Sequence, residues 1–243
     1  MTRVCRVVPD VTAVDRAFDY LIEDDVPVGT IVRVELQGRR VRGWITAVDV
    51  DPEGRDLRTV LGSVSAGPPA EVVALTEWVA RRWAGPRVAV LRSASAPNRV
   101  PVVGEPPPAV RIAGGAVPER VLRRPPLADR LEVVERARAT TGSTIVCVAD
   151  AGRARTLASR LARNGVSVAL LQSSDSDAER TRAWRRAAAG SCVVVGGRLA
   201  VLAPVPDLAA AMVFDDADDA LQEERAPTWH ARDVLRERAA RAG

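Results

Sequence analysis

Eight prolines between residues 94 and 126 constrain this chain more than any other feature. They are Pro97, Pro101, Pro106, Pro107, Pro108, Pro118, Pro125 and Pro126, with Gly114-Gly115 among them. Each proline locks φ and removes a backbone donor, so neither a helix interior nor a central strand can run through them. The stretch reads as an extended linker. It cuts the 243 residues into two pieces, each near the ~100–150 residues of a common domain. The expected organisation is a domain over 1–94, a linker over 95–126 and a second domain over 127–243.

The first piece is patterned for strands. Residues 4–8 and 18–22 are short apolar runs, and residues 30–36 (TIVRVEL) alternate apolar with polar side chains at the period of a half-buried strand. Gln37-Gly38-Arg39-Arg40 reads as a turn into residues 41–50, and the two runs form a hairpin. Residues 57–64 read as a further strand. Residues 71–84 then switch to helical spacing, with Val72, Leu75, Val79 and Trp83 on one face. A small β-barrel-like domain with a helix attached is the expected build.

The second piece alternates helix and strand. Helices are expected over 127–140, 153–164, 177–189 and 230–240, the third capped by Ser176. Asn164-Gly165 and Gly190 close two of them. Apolar runs at 143–149, 166–171, 192–195 and 209–214 read as buried strands. Continuous apolar strands separated by amphipathic helices imply a parallel sheet covered on both faces. The fold class is α/β overall, the second domain being an open parallel-sheet type.

Charge and composition remove several function classes. All 35 basic residues are arginine and none is lysine, and a single histidine leaves a zinc site or a histidine-based triad almost nothing to draw on. Cys5, Cys147 and Cys192 are far apart, and two lie in valine-rich runs, so all three read as core packing. No run approaches the ~18 uncharged apolar residues of a membrane span. The charged, proline-bearing N-terminus lacks a signal-peptide pattern. A cytoplasmic protein without membrane partners is expected. The net charge of +4 is uneven: residues 104–205 hold 16 Arg against 9 acids, while residues 206–243 hold 5 against 9. A basic middle suits phosphate, which arginine pairs in bidentate fashion, though a solvated charged surface gives the same count.

Particular motifs then add a resemblance. Phe18-Asp19-Tyr20-Leu21, the strand and Gly38 that follow, and Leu57-Arg58-Thr59-Val60 resemble, in order, the N-terminal DNA-binding domain of the PriA family of primosomal replication-restart proteins. Gly196-Gly197-Arg198-Leu199-Ala200-Val201-Leu202-Ala203-Pro204 resembles that family's G-T-R-S-A-V-F-A-P loop. Asp215-Asp216-Ala217-Asp218 sits where its D-E-E-H box falls, and Pro227-Thr228-Trp229-His230-Ala231-Arg232-Asp233-Val234 resembles its P-R-Y-x-A-R-D-V signature. The resemblance implies capture of a DNA 3′ end. By position, Asp19 would accept from the terminal 3′-hydroxyl, Phe18 would wall the base or sugar, Gly38 would admit a close backbone, and Arg58 would meet a phosphate. The plainer reading makes Phe18 and Tyr20 core aromatics and leaves Asp19 in solvent.

The second domain resembles the RecA-like first motor lobe of a superfamily-2 helicase, with its nucleotide parts degraded. A P-loop needs glycine amides around the phosphates and a lysine reaching them. The matching position, between an expected short strand at 120–122 and the helix at 127, reads Arg123-Arg124-Pro125-Pro126-Leu127-Ala128-Asp129-Arg130. Arg124 replaces a charge but not the cradle. Asp215 keeps the position of a Mg²⁺ ligand, but Asp216 is shorter than the glutamate it replaces, and both read as a solvated turn at a helix start. Arg198 reads either as a phosphate contact or as a solvent-facing turn residue. His230 reads as structural. Arg182, Arg185 and Arg186 cluster around Trp184 and could form a face that contacts a nucleic-acid backbone, while Trp184 itself reads as an anchor of its own helix to the sheet. The family continues into a zinc-bearing region, a second lobe and a C-terminal domain that this sequence does not include, so it is a fragment or a short relative and no zinc ligand carries over.

The resulting expectation is a DNA-binding restart protein that recognises stalled or forked DNA by its 3′ end, without helicase or ATPase activity and without ATP, Mg²⁺ or zinc as cofactor. Other primosome or replication proteins would be its partners. One rival is an ATP-dependent 3′–5′ helicase of superfamily 2, which would need the glycine turn and lysine that are missing. The other is a non-catalytic interaction scaffold or relic.

Overall fold

The computed structural model describes residues 3–52, 54, 56–101, 118–125 and 128–242. Backbone contacts divide it into two units, Met1–Pro106 with Arg225–Thr228, and Pro107–Glu224 with Trp229–Gly243.

The first unit is built on β1 (Arg3–Pro9), β2 (Phe18–Ile22), β3 (Ile31–Leu36), β4 (Arg39–Val48) and β5 (Gly62–Ser65). They form one antiparallel sheet in the order β2-β1-β4-β3-β5. Strand alternation sorts the side chains onto two faces. Cys5, Val7, Tyr20, Ile22, Val32, Val34 and Ile45 form one core. Val8, Ile31 and Trp44 face the other way. There they meet Val73 of α1 (Ala70–Arg82) and Val88 and Leu91 of α2 (Arg87–Ala94). The β3–β4 hairpin closes through Gln37 (φ 50°) and Gly38 (φ 77°). Both residues of a type I′ turn need φ > 0, which is why glycine stands at the second.

Three features of this unit differ from the expectations. The run 57–64 is not one strand, because two neighbours compete for it. Leu21 N–H donates to Arg58 O and Val60 N–H donates back to Leu21 O, both at 2.9 Å. Leu61 N–H then turns to Arg33 O at 2.8 Å, and only Gly62–Ser65 pairs as a strand with β3. The helix α2 was not legible in the sequence. Residues 95–101, whose composition begins the linker, pack on this unit: Trp44 Nε1–H donates to the buried Ser95 Oγ at 2.9 Å, and Ala66 N–H donates to Val100 O at 2.8 Å.

The second unit carries α3 (Arg130–Ala137), β6 (Ser143–Val148), α4 (Ala151–Arg163), β7 (Val168–Leu171), α5 (Asp177–Ala188), β8 (Val193–Gly196), β9 (Leu208–Phe214) and α6 (Ala231–Ala242). The strands make a parallel sheet in the order β7-β8-β6-β9. Every residue of β6 is buried, as its unbroken apolar run requires. Leu131 and Val134 of α3 and Ala154, Leu157, Ala158 and Leu161 of α4 form a core with Val146, Val148, Val193 and Val195. Local chemistry starts each helix: Asp150 Oδ1 accepts from Arg153 N–H at 2.7 Å, Ser176 and Glu179 form a capping box, and His230 Nδ1 accepts from Arg232 N–H at 3.1 Å. His230 is thus a cap in this structure. Trp184 is buried and anchors α5.

The expected strand at 120–122 is absent. These residues are irregular, with Val121 84% and Leu122 63% exposed. Two apolar side chains are too few to hold a strand to a sheet between Pro118 and Pro125.

Candidate nucleic-acid interface

The candidate residues of the first unit lie on β2 and around the outer end of the β3–β4 hairpin. Alternation places Phe18 and Tyr20 on the core face of β2 and Asp19 on the other. Tyr20 is 4% exposed, and its hydroxyl donates to Glu35 O at 3.1 Å. Burial raises its pKa, against the opposing pull of Arg58. Arg58 itself ion-pairs with the Glu35 carboxylate. Tyr20 and Arg58 therefore converge on Glu35, three residues before Gly38. A side chain at Gly38 would meet no atom within 4 Å, so this turn stands open to an approaching ligand. Phe18 is half-buried beneath Arg16, whose guanidinium carbon lies 4.6 Å from the ring centroid.

Asp19 occupies neither a solvent position nor an open pocket. Its side chain is 4% exposed, and Arg6 donates to both carboxylate oxygens, Nε at 2.8 Å and Nη2 at 3.2 Å. The pair arises from register, since Arg6 stands opposite Asp19 across the β1–β2 ladder. Burial, with the Asp19 carboxylate nearby, pushes the Cys5 thiol up to about 11. Sequence reading missed Arg6 and Glu35. The hairpin register of β1 and β2 was the signal for the first, and nothing local marked the second.

In the second unit, Arg198 begins a short 3₁₀ turn, Arg198–Leu202, directly after β8. Its Nε donates to Glu223 Oε2 at 3.1 Å and its Nη1 to Ala220 O at 3.3 Å, which ties it into the protein with a third of the side chain still exposed. Beneath that turn, the wholly buried Arg238 donates to Val201 O at 2.8 Å and Val205 O at 3.4 Å.

The residues at the nucleotide position are paired with one another. Asp215 follows β9 with φ 53°, and its carboxylate lies 2.5 Å from Arg130 Nη2 and 3.9 Å from Arg153 Nη1. Arg130 also sits over the Phe214 ring, 5.7 Å from its centroid. Asp216 pairs with Arg232 at 3.5 Å, and Arg124 with Glu132 at 3.4 Å. These side chains do not fit Mg-ATP. The acid that would hold the metal already faces arginine cations, and Arg123-Arg124-Pro125-Pro126 offers no glycine amides for the phosphates.

Comparison with known proteins bears on the same residues. Residues 6–96 match the family model described as the 3′ DNA-binding domain (3′BD) of PriA. The replication restart protein PriA of Mycobacterium tuberculosis is 32% identical over 267 residues, covering 94% of this chain and 41% of the relative. The chain is PriA-like. PriA of Mycobacterium leprae is 33% identical over 270 residues with the same coverage. PriA of Chlamydia pneumoniae is 37% identical over 95 residues, covering 38% of this chain and 13% of the relative. The chain thus spans about two fifths of the length of its mycobacterial PriA relatives. Phe18, Asp19, Gly38 and Arg58 all fall inside the matched 3′ DNA-binding domain. Among the described residues, no helix is long and apolar enough to cross a membrane.

Proposed function

We propose that the chain binds stalled or forked DNA through a 3′ end, acts in replication restart, and has no helicase or ATPase activity of its own. The match of residues 6–96 to a 3′ DNA-binding domain carries this reading. The candidate residues support it physically. Phe18 offers an aromatic wall, Arg58 a cation beside the open Gly38 turn, and Asp19 a carboxylate that Arg6 holds in place within the same matched domain. Residues 58–60 bond to β2 at one edge of the sheet and run on into β5 at the other edge, a link between the two outer strands that supports a small barrel. The parallel sheet is read as a RecA-like lobe, retained as a scaffold.

The absence of motor activity rests on the Arg130–Asp215 pair and the missing phosphate cradle. A motor lobe must hold the metal and the β- and γ-phosphates at once, and here the acid faces arginines while the sequence at the phosphate position lacks the glycines of a cradle. Function would then need no ATP, Mg²⁺ or zinc from these residues, and other primosome or replication proteins would supply unwinding.

The test is fluorescence anisotropy of the full chain on labelled forked DNA, comparing wild type with Asp19→Ala and Arg58→Ala. Each substitution is expected to weaken fork binding about tenfold, the loss of one charged contact of about 1.4 kcal/mol. Unchanged binding by both variants would remove the pocket and leave the scaffold reading.

A further inference from the structure

A cationic groove on α5, built from the arginine cluster around Trp184, belongs neither to the candidate 3′-end residues nor to the nucleotide position. Ala178, Thr181, Arg182, Arg185, Arg186 and Ala189 line an open cavity of about 510 Å³. They recur three and four residues apart, so they lie along one side of the helix. The acids of the first turn have their hydrogen bonds elsewhere: Glu179 closes the capping box with Ser176, with Arg182 acting on it only through space, and Asp177 pairs with Arg180 at 3.4 Å. Arg186 donates to Ser167 Oγ. Arg182 and Arg185 are exposed, and no ion pair or hydrogen bond joins either to a described residue.

We infer that this groove holds a nucleic-acid phosphate backbone, forming a second DNA contact separate from the 3′-end pocket and independent of its sequence preferences. Two guanidinium groups one helical turn apart, ~5–6 Å at their Cβ atoms, can each grip a phosphate in bidentate fashion. An acidic protein segment is the rival occupant, and the lining disfavours it. Protein interfaces depend on buried aromatic or large aliphatic anchors. This groove offers only alanine and threonine between its arginines, and Trp184, the one aromatic residue of α5, is turned into the core. The location also falls within residues 104–205, where the arginine excess is concentrated. The inference deepens the DNA-binding reading but does not depend on recognition of a 3′ end.

The experiment measures binding of the full chain to labelled forked DNA and to blunt duplex across a salt series. It compares wild type, Arg182→Ala/Arg185→Ala, and Arg136→Ala/Arg236→Ala. The last removes two exposed arginines elsewhere, each ion-paired in the structure. Circular dichroism checks that all three proteins are folded. Each phosphate contact adds ~0.9 to the slope of log affinity against log salt. The α5 variant is therefore expected to lower that slope by about 1.8, equivalent to roughly 12-fold between about 50 and about 200 mM salt. The loss should be equal on fork and duplex, with any preference for a free 3′-hydroxyl over a 3′-phosphate unchanged and the control variant near wild type. If wild type shows no 3′-end preference but the α5 variant still loses slope, the pocket fails and the groove stands. An unchanged slope overturns the groove. So does loss of binding to a poly-glutamate peptide with DNA binding intact, which would assign α5 to an acidic protein partner.

Discussion

Removing Arg6 should damage the first unit more than removing its partner Asp19, although the two share one ion pair. The asymmetry follows from burial: the Asp19 side chain is 4% exposed and that of Arg6 44%. Arg6→Ala takes two charged hydrogen bonds from a carboxylate with almost no water around it, whereas Asp19→Ala leaves a guanidinium that solvent can reach. A hydrogen bond to a charged group contributes ~1.5–3 kcal/mol net, and an exposed pair only ~0.2–1. Two bonds to one buried and one half-exposed partner fall between these limits. Arg6→Ala is expected to cost about 2.5 kcal/mol, Asp19→Ala about 1, and the double variant about 1.5, a coupling of about 2 kcal/mol. For a unit near 100 residues the first value lowers Tm by roughly 10–20 °C. Urea titrations followed by tryptophan fluorescence read these differences, because Trp44 is buried in this unit. Equal costs for the two single variants, or a double variant that costs their sum, would refute the reasoning. The cycle also separates folding from recognition: Asp19→Asn keeps an acceptor and should retain more fork binding than Asp19→Ala at similar stability.

Other consequences can be checked independently. Burial raises the Cys147 thiol from its ordinary value of 9.0 to about 12, and the Cys5 thiol to about 11. Groups whose pKa is raised on folding stabilise fully below the unfolded value and lose that stability as pH rises, so stability should fall from about pH 9, by ~1.4 kcal/mol per pH unit for each thiol. Cys5→Ala/Cys147→Ala should flatten that alkaline limb in pH-dependent urea titrations. Asp129 runs the other way, held below the usual carboxylate range by Arg160 and by the Leu131 amide it caps. Its contribution is present at neutral pH and lost as pH falls through the depressed value, and an NMR titration should find Asp129 ionising below the usual carboxylate range. Arg238→Met leaves the Val201 and Val205 carbonyls without a buried donor and should cost about 2–3 kcal/mol by urea titration, with faster amide exchange over 198–205. A fluorescent ATP analogue should show no saturable binding, and submillimolar affinity would contradict the Arg130–Asp215 argument.

The regular elements were largely legible because their chemistry is local. The bounds of β2, the Ser176 cap and the buried run of β6 each follow from a few neighbouring residues. The helix α2 was not, because eight residues after Pro86 carry no side-chain cap and too short a pattern to separate from the prolines that follow. Residues 57–64 misled because their apolar pattern cannot say that two different strands will share them. At the candidate sites the sequence named residues but not partners. Arg6 is 13 positions from Asp19 and Arg130 is 85 from Asp215, and only the folded sheets bring them together. Those partners change the reading most, since they turn Asp19 into a held carboxylate and pair Asp215 with arginine.

The most direct test of the whole account is anisotropy on forked DNA whose leading strand ends in either a free 3′-hydroxyl or a 3′-phosphate, with and without ATP. Tighter binding to the free 3′-hydroxyl, the same with ATP as without it, is the predicted result. Equal binding to both ends, or affinity that changes with ATP, would contradict it.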